Sequence, residues 1–84
     1  MENNYYTLIT GATGGLGKAF CEQFAGCGHN LFLTATNQER LDNLKHELLK
    51  KYTSIKIETL ACDLSNTQDI NNLTLHIINN FELN

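Results

Sequence analysis

The stretch LITGATGGLGKAF, residues 8–20, decides the fold of this chain. An apolar run that contains β-branched residues leads directly into a cluster of glycines, and the cluster opens a helix-forming segment. Glycine allows positive φ angles and leaves the backbone uncovered by a Cβ atom. The first amides of a helix have no intrahelical partners and carry the positive end of the helix dipole. The stretch therefore predicts a strand, a turn and a helix N-terminus that can bind a phosphate group.

The length and charge of the chain limit its function. Its 84 residues, 42% of them hydrophobic and 18% charged, allow one domain of ordinary globular composition. The net charge of −3 argues against general binding to nucleic acid or anionic lipid. The N-terminus has no basic region followed by an apolar one, and no apolar run approaches the roughly 20 residues that cross a bilayer. We therefore expect a cytoplasmic protein with no nucleic-acid or membrane partner.

The cysteines and histidines do not form a metal-binding pattern. Cys21, Cys27 and Cys62 are odd in number and are expected at core-facing or strand-end positions. Small buried thiols in a reducing compartment explain them better than a disulfide does. The three histidines are scattered, and none pairs with a cysteine at ligand spacing. The sequence therefore predicts no metal site.

Three segments are predicted to be strands, at residues 5–10, 31–33 and 55–60. The first is rich in aromatic and β-branched residues. The second is a continuous apolar run, which is typical of a strand buried on both faces of a parallel sheet. The third alternates apolar and polar residues, as an edge strand does.

Each strand is followed by a predicted helix with an apolar stripe. The first helix ends at Gly26 and Gly28, and its stripe is Leu16, Phe20, Phe24 and Cys27. The second runs over residues 38–52 after an N-cap at Asn37, and its stripe is Leu41, Leu44, Leu48 and Tyr52. The third is capped by Ser65 or Asn66, and its stripe is Ile70, Leu73, Ile77 and Phe81.

The order βαβαβα predicts an α/β fold, a partial Rossmann (doubly wound) unit with a three-stranded parallel sheet. The first two helices should cover one face of the sheet, and the third should cross to the other. A fourth strand would be expected beside the first, after residue 84. We therefore expect residues 1–84 to be a truncated unit, and we expect a homo-oligomer, with a dimer as the expected size, that buries the uncovered first strand or sheet face.

Common phosphate-binding motifs do not fit the glycine cluster. A P-loop would need glycine at the position of Ala12 and a hydroxyl residue at Ala19. The dinucleotide pattern G-x-G-x-x-G fails because Ala12 and Thr13 follow Gly11. A plain turn explains the cluster poorly, because several close glycines cost conformational entropy that such a turn would not require.

The pattern Thr10-Gly11-x-x-x-Gly15-x-Gly17 resembles the signature of the short-chain dehydrogenase/reductase family. The resemblance covers the whole chain, because it continues through residues 33–41, LTATNQERL, and 61–65, ACDLS. These three matches lie in register at the ends of three successive strands and fit the compact branch of the family. The spacing of Gly11, Gly14 and Gly17 also fits the extended branch, which includes sugar-nucleotide epimerases, and this remains the second interpretation.

The resemblance implies a cofactor site and a role for each of its parts. The glycines make the tight turn, admit the pyrophosphate and let the helix pack closely on the strand. Asp63 would accept from the adenine amine, and Leu64 would contact the same ring. The expected cofactor-binding residues are Gly11, Thr13, Gly14, Gly15, Leu16, Gly17, Thr36, Asn37, Asp63 and Leu64.

The end of the second strand favours NADP over NAD. An acidic residue there would accept the ribose hydroxyls and repel a 2′-phosphate, but the position is Ala35. In the family, NADP-preferring members often carry basic residues at the positions of Thr36 and Gly14. We expect Thr36 and Asn37 to donate to the 2′-phosphate. Arg40 is either a further donor or, as we rather expect, a solvated side chain in the first helical turn.

Catalytic residues are not expected in this chain. The family uses a tyrosine and a lysine on one helix face, four residues apart, together with a serine. Tyr52 and Lys56 have this spacing, but Tyr52 ends a predicted helix, Lys56 begins a strand, and the serine position is Glu39. We expect the chain alone to be inactive and its full-length parent to transfer hydride between NADP(H) and a carbonyl or alcohol. A non-catalytic nucleotide-binding or assembly module is the alternative.

Overall fold

Three parallel strands form one sheet, with helices on both of its faces. The structure is a computed structural model that describes residues 5–80, with side chains to residue 77. Its elements are, in chain order, β1 (Tyr6–Ile9), α1 (Gly15–Gly26), β2 (Asn30–Ala35), α2 (Gln38–Lys51), β3 (Ile57–Ala61) and α3 (Thr67–Asn80). The strand order is β1-β2-β3, and both pairings are parallel. The predicted α/β fold, a partial Rossmann unit, is confirmed.

The central strand, β2, is buried along its whole length. Phe32 pairs with Leu8 on β1 and with Glu58 on β3. The side chain of Asn30, at the start of β2, donates from Nδ2 to the Tyr5 carbonyl and accepts from the Lys56 amide at 2.9 Å. Asn30 thereby joins the starts of the three strands, which satisfies a buried polar group.

The two faces of β2 belong to two different cores. Leu31 and Leu33 pack with α1 and α2 in the larger core. Phe32 points the other way and packs with Leu73 and Ile77 of α3. Because successive side chains of a strand point to opposite faces of the sheet, the buried residues of β2 contribute alternately to the two cores. The prediction that α1 and α2 share one face and α3 covers the other is confirmed.

The apolar stripe predicted for α1 is wrong. Leu16 is 72% exposed, Phe20 is 47% exposed and Cys27 is exposed. The residues of α1 that are buried are Gly17, Cys21 and Ala25, four residues apart. Small side chains let the helix approach the sheet closely, so the large apolar residues lie on its flank and Phe24 is only half-buried.

The predicted C-terminus of α1 and the predicted N-terminus of α2 are confirmed, and α2 ends at Lys51, one residue earlier than expected. Gly28, with φ +85°, follows α1, and its amide donates to the Ala25 carbonyl at 3.0 Å. At the start of α2, Asn37 Oδ1 accepts from the Arg40 amide at 3.1 Å. The stripe of α2 is also confirmed, because Leu41, Leu44 and Leu48 are buried and Tyr52 is half-buried.

In α3, the cap is Asn66 rather than Ser65. Asn66 Oδ1 accepts from the amides of Gln68 and Asp69 at 2.9 and 3.2 Å. Leu73 and Ile77 are buried as expected, whereas Ile70 is 39% exposed and does not join the stripe. Phe81 lies outside the described residues.

Glu22 joins the outer side of α1 to the end of α2. Its Oε1 accepts from Lys51 Nζ at 3.0 Å, and its Oε2 accepts from the Tyr52 hydroxyl at 2.8 Å. These two donors hold the pKa of Glu22 below its ordinary value of 4.5. The two helices are therefore linked by an ionised carboxylate on the surface.

We expect Tyr52→Phe to lower the urea midpoint of unfolding at pH 7 and to have less effect in acid. Because the pKa of Glu22 is lowered in the folded protein, its contribution is present above the ordinary value of 4.5. It is lost as the pH falls through the lower folded value. The control is Tyr52→Phe in a Glu22→Ala background, where the effect should vanish. An undiminished effect in that background would contradict the link.

Candidate functional site

The loops that follow the three strands meet at one edge of the sheet, because the strands are parallel. There they form a cleft of about 310 Å³. Its lining comes from all three loops and from the end of β2: Gly11, Thr13, Gly14, Thr34, Ala35, Thr36, Cys62 and Leu64. Ligands of open α/β sheets bind at this edge, outside the carboxyl ends of the strands.

The first loop is held in place by its own backbone and by β2. Gly11 has φ +60°, a conformation that residues with a Cβ rarely adopt. Its carbonyl accepts from the Gly14 amide at 3.1 Å, which closes a tight turn. The Ala12 amide donates to the Thr34 carbonyl at 3.0 Å, which fastens the loop to the end of β2.

The N-terminus of α1 opens directly from this turn. Gly14 is the N-cap, and it offers no side chain to the first amides of the helix. The first turn of α1 contains no acidic residue either. The free amides and the helix dipole therefore present positive charge at the edge of the cleft, where an anion would be stabilised.

Gly15 and Gly17 differ in what surrounds them. A Cβ on Gly17 would lie 2.9 Å from Ala12 Cα and still closer to the Gly11 backbone. A Cβ on Gly15 would meet nothing within 4 Å. Gly17 is therefore required by packing of helix on loop, whereas Gly15 leaves open space on the outer side of the turn.

The cleft contains half of the ten residues expected at the site. These are Gly11, Thr13, Gly14, Thr36 and Leu64. Gly15 and Leu16 begin α1 beside Gly14 and are exposed, and Gly17 is buried beneath the loop. Asn37 and Asp63 lie next to lining residues but do not line the cleft themselves.

Asn37 and Asp63 are both engaged in local hydrogen bonds. The oxygen of the Asn37 amide caps α2, so its Nδ2 group is the part that could donate to a ligand. Asp63 Oδ1 accepts from the Ser65 hydroxyl at 2.7 Å and from the Ser65 amide at 2.9 Å. Ser65 thereby lowers the pKa of Asp63, mainly through its hydroxyl. The carboxylate is ionised and oriented by Ser65.

Two lining residues, Thr34 and Cys62, were not expected at the site. Thr34 is 1% exposed and is the one hydroxyl residue of the buried strand β2, which is the signal that could have identified it. Cys62 was predicted as a buried strand-end thiol and is 4% exposed. Burial raises the pKa of its thiol, which disfavours the reactive thiolate.

Comparison with known proteins identifies the family. The sequence model described as short chain dehydrogenase matches residues 6–83. The chain belongs to the short-chain dehydrogenase family. The family predicted from the three strand-end motifs is confirmed, and membership supports a nicotinamide dinucleotide as the cofactor of this site.

Curated relatives include very-long-chain 3-oxoacyl-CoA reductases. The one from Caenorhabditis elegans is 43% identical over 61 residues, which are 73% of this chain and 19% of that protein. The one from Aspergillus terreus is 41% identical over 64 residues, which are 76% of this chain and 18% of that protein. The chain therefore spans about a fifth of the length of these relatives.

Solved short-chain dehydrogenases share the fold. An enzyme from Sphingobium yanoikuyae in complex with NADPH superposes with a TM-score of 0.79 at 33% identity, over 89% of this chain and 29% of that one. The bulky-bulky ketone specific alcohol dehydrogenase of Comamonas testosteroni gives 0.79 at 30% identity, over 92% of this chain and 30% of that one.

Tyr52 and Lys56 do not form the catalytic pair of a short-chain dehydrogenase. Tyr52 directly follows α2, and Lys56 precedes β3, so they share no helix face. The Tyr52 hydroxyl donates to Glu22, and this hydrogen bond raises the pKa of Tyr52. A general base needs the opposite shift, so the hydroxyl serves the link between α1 and α2.

The described residues, 5–80, contain neither a membrane-spanning helix nor a metal-binding cluster. No helix among them is long and apolar enough to cross a membrane. Nor do they contain a group of three or more His, Cys, Asp and Glu side chains that could hold a metal ion.

We expect Gly17→Ala to lower the free energy of unfolding by about 1–3 kcal/mol, because the new methyl group overpacks against backbone that cannot move freely. Gly15→Ala is the matched control. Its methyl group meets open space in a helical turn, so stability should stay within about 0.5 kcal/mol or rise. Urea unfolding of the two variants measures both effects. Equal losses of stability would contradict the assigned packing role of Gly17.

Proposed function

We propose that this chain is the NADP(H)-binding N-terminal portion of a longer short-chain reductase. The observation that carries this proposal is the turn at residues 11–17, where open backbone amides begin α1 beside a cleft lined by all three strand-end loops. The share of the relatives that the chain covers, about a fifth, supports a cofactor-binding portion rather than a whole enzyme. In such a protein the fourth strand and the catalytic residues would follow residue 84.

Each part of the site has a role in this proposal. The amides of Gly15 and Leu16, with the dipole of α1, bind the pyrophosphate. Leu64 contacts the adenine ring, and Asp63 accepts from its amine through Oδ2, since Ser65 occupies Oδ1. Thr13 donates its hydroxyl near the phosphates. When bound, the nicotinamide supplies or accepts the hydride.

The preference for NADP rests on the end of β2. Ala35 lines the cleft at the position where an acidic side chain would repel a 2′-phosphate. Thr36 is exposed beside it and offers a hydroxyl, and Asn37 offers Nδ2. Solved relatives that are complexed with NADPH or NADP agree with this preference.

The reaction proposed for the parent enzyme is hydride transfer between NADP(H) and a carbonyl or alcohol. The curated relatives reduce 3-oxoacyl-CoA, which is a reaction of this kind. We assign no residue of this chain to catalysis, and we propose that the chain alone is inactive. A cytoplasmic location remains a prediction from the sequence.

The preference can be tested by calorimetric titration of the chain with NADP⁺ and NAD⁺. We expect the unaltered chain to bind NADP⁺ more tightly than NAD⁺. Gly15→Ala should weaken the binding of both dinucleotides, because the added methyl group narrows the space beside the turn. Ala35→Asp should weaken NADP⁺ by roughly tenfold or more through repulsion of the 2′-phosphate. Ala35→Asn is the matched neutral control and should have a smaller effect. Tighter NAD⁺ binding by the unaltered chain would overturn the preference, and failure of both dinucleotides to bind would overturn the proposed site.

We also propose that the isolated chain forms a homodimer through the open side of β1. Leu8 is 43% exposed on this edge strand, and Phe20 of α1 is 47% exposed next to it. Together with Ile9, Thr10 and Phe24 they line an open depression of about 350 Å³. An apolar edge of this kind pairs readily with a second copy of itself.

Sedimentation velocity over a range of concentrations tests the dimer. We expect Phe20→Glu to shift the chain to monomer, because a charge would be buried at the interface. Leu75→Glu is the control, since Leu75 is 58% exposed on α3 and does not line this depression, so the dimer should stay intact. A monomer mass at every concentration would refute the proposal.

A further inference from the structure

A second cleft opens between α1 and α2, next to the glycine turn. It measures about 230 Å³ and is lined by Thr13, Lys18, Arg40, Asn43, Leu44 and Glu47. Thr13 also lines the first cleft, so the two clefts share a wall. A ligand that occupies the first cleft therefore lies immediately beside the second.

The cleft gathers two cations from different helices. Lys18 is in the first turn of α1, and Arg40 is in the first turn of α2. Within residues 5–77, neither side chain takes part in a hydrogen bond or an ion pair, whereas Lys51 is paired with Glu22. The N-terminal dipoles of both helices add positive potential at the same place. Within the described residues, the cleft therefore holds two cations that form no ion pair.

One acidic side chain, Glu47, also lines the cleft. It lies seven residues after Arg40 on α2, which is roughly 10 Å along the helix axis. Its charge interacts with Lys51, one turn further on. Glu47 therefore reduces the positive potential mainly on the side of the cleft away from the N-terminus of α2.

We propose that Lys18 and Arg40 bind the 2′-phosphate of NADP(H) and so set the cofactor preference, an inference that rests on the proposed function. At the two positions where NADP-preferring relatives often carry basic residues, this chain has Gly14 and Thr36. Arg40 lines the second cleft and lies four residues after Thr36, which lines the first. Asn37 fixes that turn by accepting from the Arg40 amide. The cations thus come from the helices instead of the loops.

The chemistry of the two side chains suits this ligand. A phosphate monoester carries close to two negative charges at neutral pH and offers three acceptor oxygens. The planar guanidinium of Arg40 can donate two parallel hydrogen bonds, and the ammonium of Lys18 acts as a compact point charge. Asn43 adds an amide donor from the wall of α2. NAD lacks the phosphate and gains nothing from these groups.

The experiment is calorimetric titration with four probes: NADP⁺, NAD⁺, 2′,5′-ADP and 5′-AMP. We expect Lys18→Gln and Arg40→Gln each to weaken NADP⁺ and 2′,5′-ADP by roughly fivefold, and the double variant by roughly twentyfold. Binding of NAD⁺ and 5′-AMP should stay within about twofold. Arg40→Lys, which keeps the charge but loses the planar fork, should fall between Arg40→Gln and the unaltered chain.

Two further variants control for charge alone. Lys50→Gln removes a positive charge from the exposed end of α2, outside the cleft, and should leave the NADP⁺ affinity unchanged. Glu47→Gln should tighten NADP⁺ binding slightly, because it removes the one acidic group from the lining. The thermal midpoint of each variant confirms that it is folded. The ³¹P resonance of the 2′-phosphate should shift on binding to the unaltered chain and shift less with the double variant.

The titrations distinguish failure of the role given to Lys18 and Arg40 from failure of dinucleotide binding itself. If the double variant keeps the NADP⁺ to NAD⁺ ratio of the unaltered chain, or if it weakens both dinucleotides equally, the role of Lys18 and Arg40 is overturned while dinucleotide binding stands. If Lys50→Gln weakens the binding of NADP⁺ as much as Arg40→Gln does, the effect comes from net charge. The cleft is then excluded as the binding site of the 2′-phosphate. If the unaltered chain binds none of the four probes, the proposed function fails and this inference fails with it.

Discussion

The close approach of Gly17 to the backbone of Gly11 and Ala12 is the constraint on which the rest of the structure depends. No side chain separates α1 from the loop at this point, so the helix starts directly above the carboxyl end of β1. The loop is held from the other side by the hydrogen bond between the Ala12 amide and the Thr34 carbonyl. Helix N-terminus, first loop and central strand are thereby fixed relative to one another, and both clefts are built on that arrangement.

Much of the fold could be predicted from local patterns. The buried run of β2 and the Asn37 cap depend on a few neighbouring residues and were predicted correctly. The buried face of α1 was predicted wrongly. A helical pattern is recognised mainly by its large apolar residues, whereas the residues of α1 that face the core include the small Cys21 and Ala25. The cap of α3 is Asn66, whereas the Ser65 side chain is directed toward Asp63, to which its hydroxyl donates.

The candidate site was predictable where it follows the strand ends and less so elsewhere. Register along the chain places Gly11, Thr36 and Leu64 at the same edge of the sheet, and the structure brings them to one cleft. The second cleft depends on the separation and rotation of α1 and α2. Lys18 and Arg40 are 22 residues apart in the sequence, and no spacing rule connects them. Such a site becomes visible only when the two helices are packed.

The stripe of small residues on α1 has a consequence for motion. Gly17, Cys21 and Ala25 lose little side-chain entropy on folding, but they also remove little apolar area from water, while Leu16 and Phe20 remain outside. By contrast, α2 anchors itself through three buried leucines. Helix α1 therefore has less cohesive free energy than α2 and a lower cost of local opening. The turn that precedes it would open with it, so the segment with the most specialised backbone should exchange its amide hydrogens before α2 does.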